Sequence, residues 1–272
     1  MARSRGLRYH GAMFSPATAD LPICEVLPAL RAALSGRSEA VLQAPPGAGK
    51  TTLVPLALLA ESWLDGQGII VVEPRRVAAR AAAGRMAELL AERVGQTVGY
   101  RIRLDSCVSA STRVEVVTEG ILTRRLQSDP ALEGVGLVIF DEFHERSLDA
   151  DLGLALALQA RELFREADMP LRLLVMSATL DGAAVAALLA DAPILTSRGR
   201  QFPVTLRYGA PQGLRDAIVP RVVATVLQAL AEQSGSVLVF LPGQAEIHQV
   251  AAALRQQLGQ LPDPVLICPL YG

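Results

Sequence analysis

Lysine is almost absent from this chain. Lys50 is the one lysine among 26 basic residues; every other is arginine. Aromatic residues are only 4% of the 272, so any core must be aliphatic. Cysteines are few, and Cys24, Cys107 and Cys268 stand far apart with no histidine close by. That spacing excludes the usual structural metal sites and reads as buried thiols in a reducing compartment. The first ten residues carry Arg3, Arg5 and Arg8 with no apolar segment after them, unlike a secretory leader. No stretch reaches the ~18 apolar residues of a membrane-spanning helix, so no membrane partner is expected. A soluble cytoplasmic protein is the expectation.

Ala, Leu and Val, by contrast, are abundant. Hydrophobic residues are 51% of the chain, enough for a sizeable core at 28.8 kDa. The net charge of -1 gives no global sign of a polyanionic partner, but the charge is unevenly spread. Pro74 to Arg125 holds ten arginines against five acids, and Leu126 to Arg200 holds six against twelve. Such asymmetry allows a basic face beside an acidic one.

Residues 1–20 are polar and read as an irregular lead. Leu21–Leu34 has helical apolar spacing. Short apolar runs then alternate with longer amphipathic ones. Strands are expected at Ala40–Gln43, Ile69–Val72, Val114–Val117, Leu137–Phe140 and Leu171–Met176. Helices are expected at Lys50–Trp63, Arg75–Arg93, Ala150–Arg165 and Ala183–Ala190. The strands are apolar on both faces, which predicts an α/β fold: a parallel sheet with helices on both faces over 21–200. Residues 201–213 are rich in Arg, Gly, Pro and Gln and read as a connector with a strand-like segment, Val204–Tyr208. A second alternation over 214–272 predicts helices Leu214–Glu232 and Ala245–Leu258 with strands Val237–Leu241 and Val265–Cys268. That span is too short for an independent α/β domain and reads as an incomplete second one.

The lone lysine falls in Ala44-Pro45-Pro46-Gly47-Ala48-Gly49-Lys50-Thr51-Thr52, between an expected strand and an expected helix. This is close to the phosphate-loop pattern G-x-x-x-x-G-K-[ST], with Ala44 replacing its first glycine. Gly47 and Gly49 let the backbone curl so that amides face an anion at the helix N-terminus. A compact ammonium enters such a ring better than a planar guanidinium. Lys50 would then meet the β and γ phosphates, with Thr51 holding Mg²⁺ through its hydroxyl. The plain alternative is a glycine-rich turn without ligand. Next, Asp141-Glu142-Phe143-His144 follows the apolar run Leu137–Phe140. Carboxylates at the carboxyl end of a buried strand stand where open α/β sheets place catalysis. Asp141 would hold Mg²⁺, and Glu142 would orient an attacking water. An acidic helix start explains one such acid, and two after a phosphate loop less well. Ser177-Ala178-Thr179 also ends a buried strand, and alone is a routine strand exit.

Taken together these segments resemble the motifs of superfamily-two helicases, specifically the DEAH-box group. Lys50 lies in motif I, Glu73-Pro74-Arg75-Arg76-Val77-Ala78-Ala79-Arg80 is similar to motif Ia, and Thr118-Glu119-Gly120-Ile121-Leu122 to motif Ib. Asp141–His144 is similar to motif II, with Phe143 where the group name has alanine. Ser177–Thr179 resembles motif III, and Val239-Phe240-Leu241-Pro242-Gly243 the start of motif IV. Val98–Arg103 and Gly199–Val204 share the group's texture. Phe143 and the Glu73–Arg76 run look most like the bacterial HrpB-type helicases. The likeness covers about residues 20–272.

The resemblance implies a RecA-like ATP-binding domain, the incomplete start of a second RecA-like domain, and ATP with Mg²⁺ as cofactors. Pro46, Gly47, Ala48, Gly49, Lys50, Thr51 and Thr52 would cradle the nucleotide, and Arg85 would stack on its adenine. Arg75, Arg76, Thr118 and Gly120 would contact a single nucleic-acid strand, RNA by the resemblance; a solvated helix face is the alternative for each arginine. His144 would link the nucleotide site to a facing domain and to Ser177 and Thr179. The family's arginine fingers lie in later motifs, and no Gln-Arg-x-Gly-Arg run occurs here. Two functions are therefore weighed: the N-terminal part of an ATP-dependent RNA helicase, or an ATP- and RNA-binding module with little turnover. A transporter-type ATPase would leave motifs Ia and Ib unexplained and lacks a serine-glycine-glycine-glutamine signature.

Overall fold

The computed structural model describes residues 8–9, 12–13, 21–166, 169–178, 182–199, 203–209, 213, 217–259 and 265–271. The chain divides into two compact units, Met1–Phe202 and Pro203–Gly272. In the first, a two-residue ladder joins β1 (Arg8–Tyr9) to β2 (Ala12–Met13). The remaining residues expected to form an irregular lead lie outside those described.

The main sheet has eight strands: β3 (Glu39–Gln43), β4 (Gly68–Glu73), β5 (Val98–Ile102), β6 (Asp105–Cys107), β7 (Val114–Thr118), β8 (Val135–Phe140), β9 (Arg172–Ser177) and β10 (Ile194–Thr196). Their order is β10-β3-β9-β8-β4-β7-β5-β6. All neighbours pair in parallel except the β5–β6 hairpin at one edge. The helices are α1 (Leu27–Gly36), α2 (Lys50–Leu58), α3 (Arg76–Leu89), α4 (Glu119–Ser128), α5 (Leu148–Phe164) and α6 (Gly182–Leu188).

The expected two-sided burial is realised residue by residue. Ala40 and Leu42 of β3 join one core with Ile69, Val71, Leu137, Ile139, Leu174 and Met176, roofed by α1, α2 and α3. Val41 joins the other with Ile70, Val72, Val138, Phe140, Leu173 and Val175, roofed by α4, α5 and α6. Alternate side chains of one strand thus serve opposite cores, and an unbroken apolar run is the result.

Several boundaries differ from expectation. The run from Leu21 is split into a 3₁₀ turn, Pro22–Glu25, and α1, each with proline in its first turn, where a preset φ favours starting a helix. α2 stops at Leu58, and Ser62–Leu64 forms its own 3₁₀ turn after an extended Glu61. Arg75 is the extended cap of α3 rather than part of it, and the left-handed Ala91 follows the helix end.

The second unit has α7 (Ile218–Glu232) and α8 (Gln244–Leu258), packed through Val223, Val226, Val250, Leu254 and Leu258. The strands expected at Val204–Tyr208, Val237–Leu241 and Val265–Cys268 are not formed; all three segments are irregular. Phe240 and Leu266 are each 87% exposed. A strand persists only where its amides and carbonyls find a ladder, and among the described residues this unit offers none.

Candidate active site

Parallel strands end together, and the chemistry gathers at that shared carboxyl edge. β3 leads into the glycine loop, β8 into Asp141, and β9 into Ser177. The Gln43–Ser177 register brings the first and last of these side by side. The Ala44 amide donates to the Ser177 carbonyl at 3.0 Å, and the Asp141 amide donates to the Val72 carbonyl at 3.0 Å.

Lys50 opens α2 and is only 4% exposed. Its Nζ donates to Glu142 Oε1 at 2.6 Å. Beside it the Thr51 hydroxyl donates to Asp141 Oδ2, and the Glu142 amide donates to Asp141 Oδ1 at 2.8 Å. The four residues nominated from sequence for phosphate and metal chemistry therefore form one connected cluster. Gly47 (φ 77°) and Gly49 (φ 92°) both take the left-handed conformation that glycine adopts without strain. Pro46 and Gly47 are exposed, Ala48 is buried, and Thr52 is half-buried on the first turn of α2. Glu142 is itself left-handed (φ 49°), an uncommon conformation for a non-glycine residue that concentrates at functional sites.

A hydroxyl and a carboxylate directed at one another form a hard-oxygen pair suited to Mg²⁺, so Thr51 and Asp141 fit the role given to them. Asp141 is buried, which raises its pKa, while the Thr51 hydroxyl and Lys50 pull it back down. Next to it lies Glu73, the last residue of β4 and only 3% exposed. Burial first, then the charge of Asp141 and a hydrogen bond with it, push Glu73 up to about 9. Asp141 has the hydroxyl, the amide and the ammonium to favour its anion; Glu73 has only Lys50, so the shared proton rests on Glu73. The sequence reading places Glu73 in the motif-Ia run but assigns it no role at the site. Its signal was an acid closing the apolar run Ile69–Val72.

The Ala178 amide donates to His144 Nδ1 at 3.3 Å. The same Nδ1 lies 3.3 Å from Glu142 Oε2. His144 thus touches both the carboxylate cluster and the peptide after Ser177. Thr179 lies outside the described residues.

The residues nominated for strand contact form a row at or just beyond the carboxyl ends of the adjacent strands β4 and β7. The Glu73–Thr118 pairing aligns the ends of the first two. Arg75 is 72% exposed at its side chain and donates to Glu145 at 3.0 and 3.1 Å. Arg76 is exposed, with no ion pair among the described residues. Thr118 caps α4, and Gly120 lies in its exposed first turn. Nothing lies within 4 Å of a Cβ built on Gly120, so packing does not require glycine there. Close approach of a ligand to its backbone would. Ser147 Oγ donates to Glu119 at 2.7 Å and caps α5, tying this turn to the loop after Asp141. Arg103, at the tip of the β5–β6 hairpin, extends the row; sequence reasoning noted its segment without assigning it a place. Arg85 is different. It is exposed on α3 and pairs with Glu88 at 3.0 Å, and among the described residues no hydrogen bond or ion pair joins it to the glycine loop.

Comparison with known proteins matches this arrangement. The DEAD/DEAH box helicase model covers residues 27–188. The chain is 52% identical over 256 residues to the ATP-dependent RNA helicase HrpB of Escherichia coli (strain K12), covering 93% of this chain and 30% of that protein. It is 36% identical over 259 residues to human ATP-dependent RNA helicase DHX33, covering 93% and 36%. The crystal structure of Escherichia coli DEAH/RHA helicase HrpB superimposes with a TM-score of 0.83 at 49% identity, covering 93% of this chain and 31% of that one. The sheet is therefore the RecA-like helicase sheet, and the chain spans about a third of the length of the relatives it matches. With its glycine loop and paired acids on one edge of that sheet, the chain belongs to the DEAD/DEAH box helicase family.

Proposed function

We propose that this chain is the ATP-binding and strand-contacting portion of an ATP-dependent RNA helicase. The observation that carries this is the Lys50–Glu142 and Thr51–Asp141 cluster at the mouth of the glycine loop. The loop amides and Lys50 hold the phosphates. An arriving phosphate competes with Glu142 for the Lys50 ammonium, so nucleotide binding frees Glu142 to accept a proton from a water and aim it. Thr51 and Asp141 would hold Mg²⁺, which would supply charge neutralisation on the phosphates. Arg75, Arg76, Thr118 and Gly120 grip the backbone of one RNA strand. His144 relays the state of Glu142 to the Ser177–Ala178 peptide. The second unit is the start of the second RecA-like domain, and strand movement comes from closure of the two domains on the RNA.

A second reading, binding of ATP and RNA with little turnover, rests on one observation. The hydrogen bonds of Lys50, Thr51, Asp141 and Glu142 among the described residues involve no arginine. In phosphoryl transfer, an arginine finger is worth ~10³–10⁵ in rate. ATP hydrolysis measured with and without single-stranded RNA, in wild type and Glu142→Gln, separates the two. RNA-stimulated turnover that Glu142→Gln abolishes establishes the helicase reading; RNA binding without any stimulated turnover leaves the binding module. Equal Mg-ATP affinity in wild type and Lys50→Ala would remove the nucleotide assignment from which both start.

A further inference from the structure

The glycine loop is held partly from outside itself. Among the described residues no side chain caps the N-terminus of α2, and Gly49, its cap residue, is left-handed. Inside the loop one backbone bond closes a turn, from the Ala48 amide to the Pro45 carbonyl at 3.2 Å. The next bond comes from outside every helicase motif. The Ile23 amide donates to the Ala48 carbonyl at 3.1 Å.

That bond has a directional consequence. A trans peptide is planar, with its carbonyl and amide pointing opposite ways. Pinning the Ala48 carbonyl toward Ile23 turns the Gly49 amide away from it, toward the open side of the loop. Side chains complete the support. A Cβ at Gly49 would come within 2.9 Å of Leu21 Cδ1 and 3.3 Å of Ile23 Cγ2, so both lie directly against the Gly49 backbone. The turn is itself fixed: the Cys24 amide donates to Leu21 and the Val26 amide to Ile23, each at 3.0 Å. Ile23 is fully buried in the core beneath α1 and α2, and Leu21 packs on its margin, partly exposed.

We propose that the Leu21–Glu25 turn is a positioning element for the phosphate loop. Ile23 orients the Ala48–Gly49 peptide, and Leu21 keeps the loop from relaxing backward. Leu21 touches no reacting atom. It acts by holding Gly49, and so lowers the ordering cost of phosphate binding. The proposal rests on the reading of this loop as a nucleotide site.

Leu21 gives the clean test, because it lies at the edge of the core. Mg-ATP affinity and Tm are measured on the full chain for wild type, Lys50→Ala, Leu21→Ala and the volume-preserving Leu21→Met. Leu21→Ala is expected to weaken Mg-ATP binding about tenfold, the order of effect lost preorganisation produces, with Tm unchanged. Leu21→Met should restore wild-type affinity. Wild-type affinity in Leu21→Ala, with binding lost in Lys50→Ala, overturns the positioning role and leaves the nucleotide site standing. A Tm that falls along with affinity also overturns it, by showing loss of fold instead. Absence of Mg-ATP binding by wild type removes the nucleotide reading and the positioning role with it.

Discussion

The nucleotide corner and the strand row share one sheet edge but are built in opposite ways. In the corner, Lys50 and Asp141 are each 4% exposed, and their partners are fixed at short range. In the row, Arg75 and Arg76 are exposed, and Arg75 is held only by Glu145. Buried charges demand exact partners, because an unpaired one is costly away from water. Exposed charges tolerate loose pairing and exchange partners cheaply. The corner is thus suited to one ligand geometry, and the row to a polyanion of any sequence.

Breaking the corner should have the largest effect. Lys50→Ala is expected to weaken Mg-ATP binding by about 100-fold, the scale of losing charged hydrogen bonds worth ~3 kcal/mol. Lys50→Arg should not rescue it, since a planar guanidinium does not enter the ring of amides. The Glu142 side chain is 27% exposed, so solvent takes over its charge and the fold survives. Calorimetric titration beside a melting curve checks both points, and rescue by arginine would contradict this picture of the loop. Glu142→Gln should separate binding from chemistry. Turnover falls ~10²–10⁴-fold, as for loss of a general base, while Mg-ATP affinity holds or rises because Lys50 loses its competing anion. An equal fall in both would place Glu142 in binding alone.

The row should respond more gently. Arg76→Ala is expected to weaken single-stranded RNA binding several-fold and reduce the salt slope by about 1. Arg75→Ala should cost less, because RNA must displace Glu145 to reach Arg75. Neither should change Mg-ATP affinity in the absence of RNA. Filter binding over a salt series decides the order of the two, and a larger loss at Arg75 would reverse the reading.

The same contrast explains what was legible from sequence. Strands β3, β4, β8 and β9 are buried on both faces and read as unbroken apolar runs, so their places follow directly. The corner residues sit where those runs end. β5 carries Gly99, Tyr100 and Arg101 one strand in from the sheet's edge, where no second core demands an apolar side chain, so its sequence lacks an unbroken apolar run. The hold of Ile23 on Ala48 joins backbone groups, which leave no mark in side-chain identity. The strands expected in the second unit fail for the opposite reason: Val237–Leu241 has the right residues and, among the described residues, lacks a ladder. Arg85 has the position the resemblance suggests, but its guanidinium is on Glu88.

Glu73 belongs to both regions, and it carries the smallest and sharpest test. It opens the Glu73–Arg76 run of the row, yet its side chain is buried against Asp141 in the corner. Burial and the neighbouring carboxylates raise it from 4.5 to about 9. Between those values the folded chain keeps a proton that the unfolded chain releases. Stability from this group is therefore complete below about pH 4.5 and declines as pH rises toward 9. Glutamine keeps the shape and the hydrogen-bond donor without the titration. In metal- and nucleotide-free buffer, Glu73→Gln should match wild type in Tm near pH 5 and exceed it by several degrees at pH 8. Parallel Tm curves across that range would mean that Glu73 is solvated like the row, and the boundary between the two regions would have to be drawn on its other side.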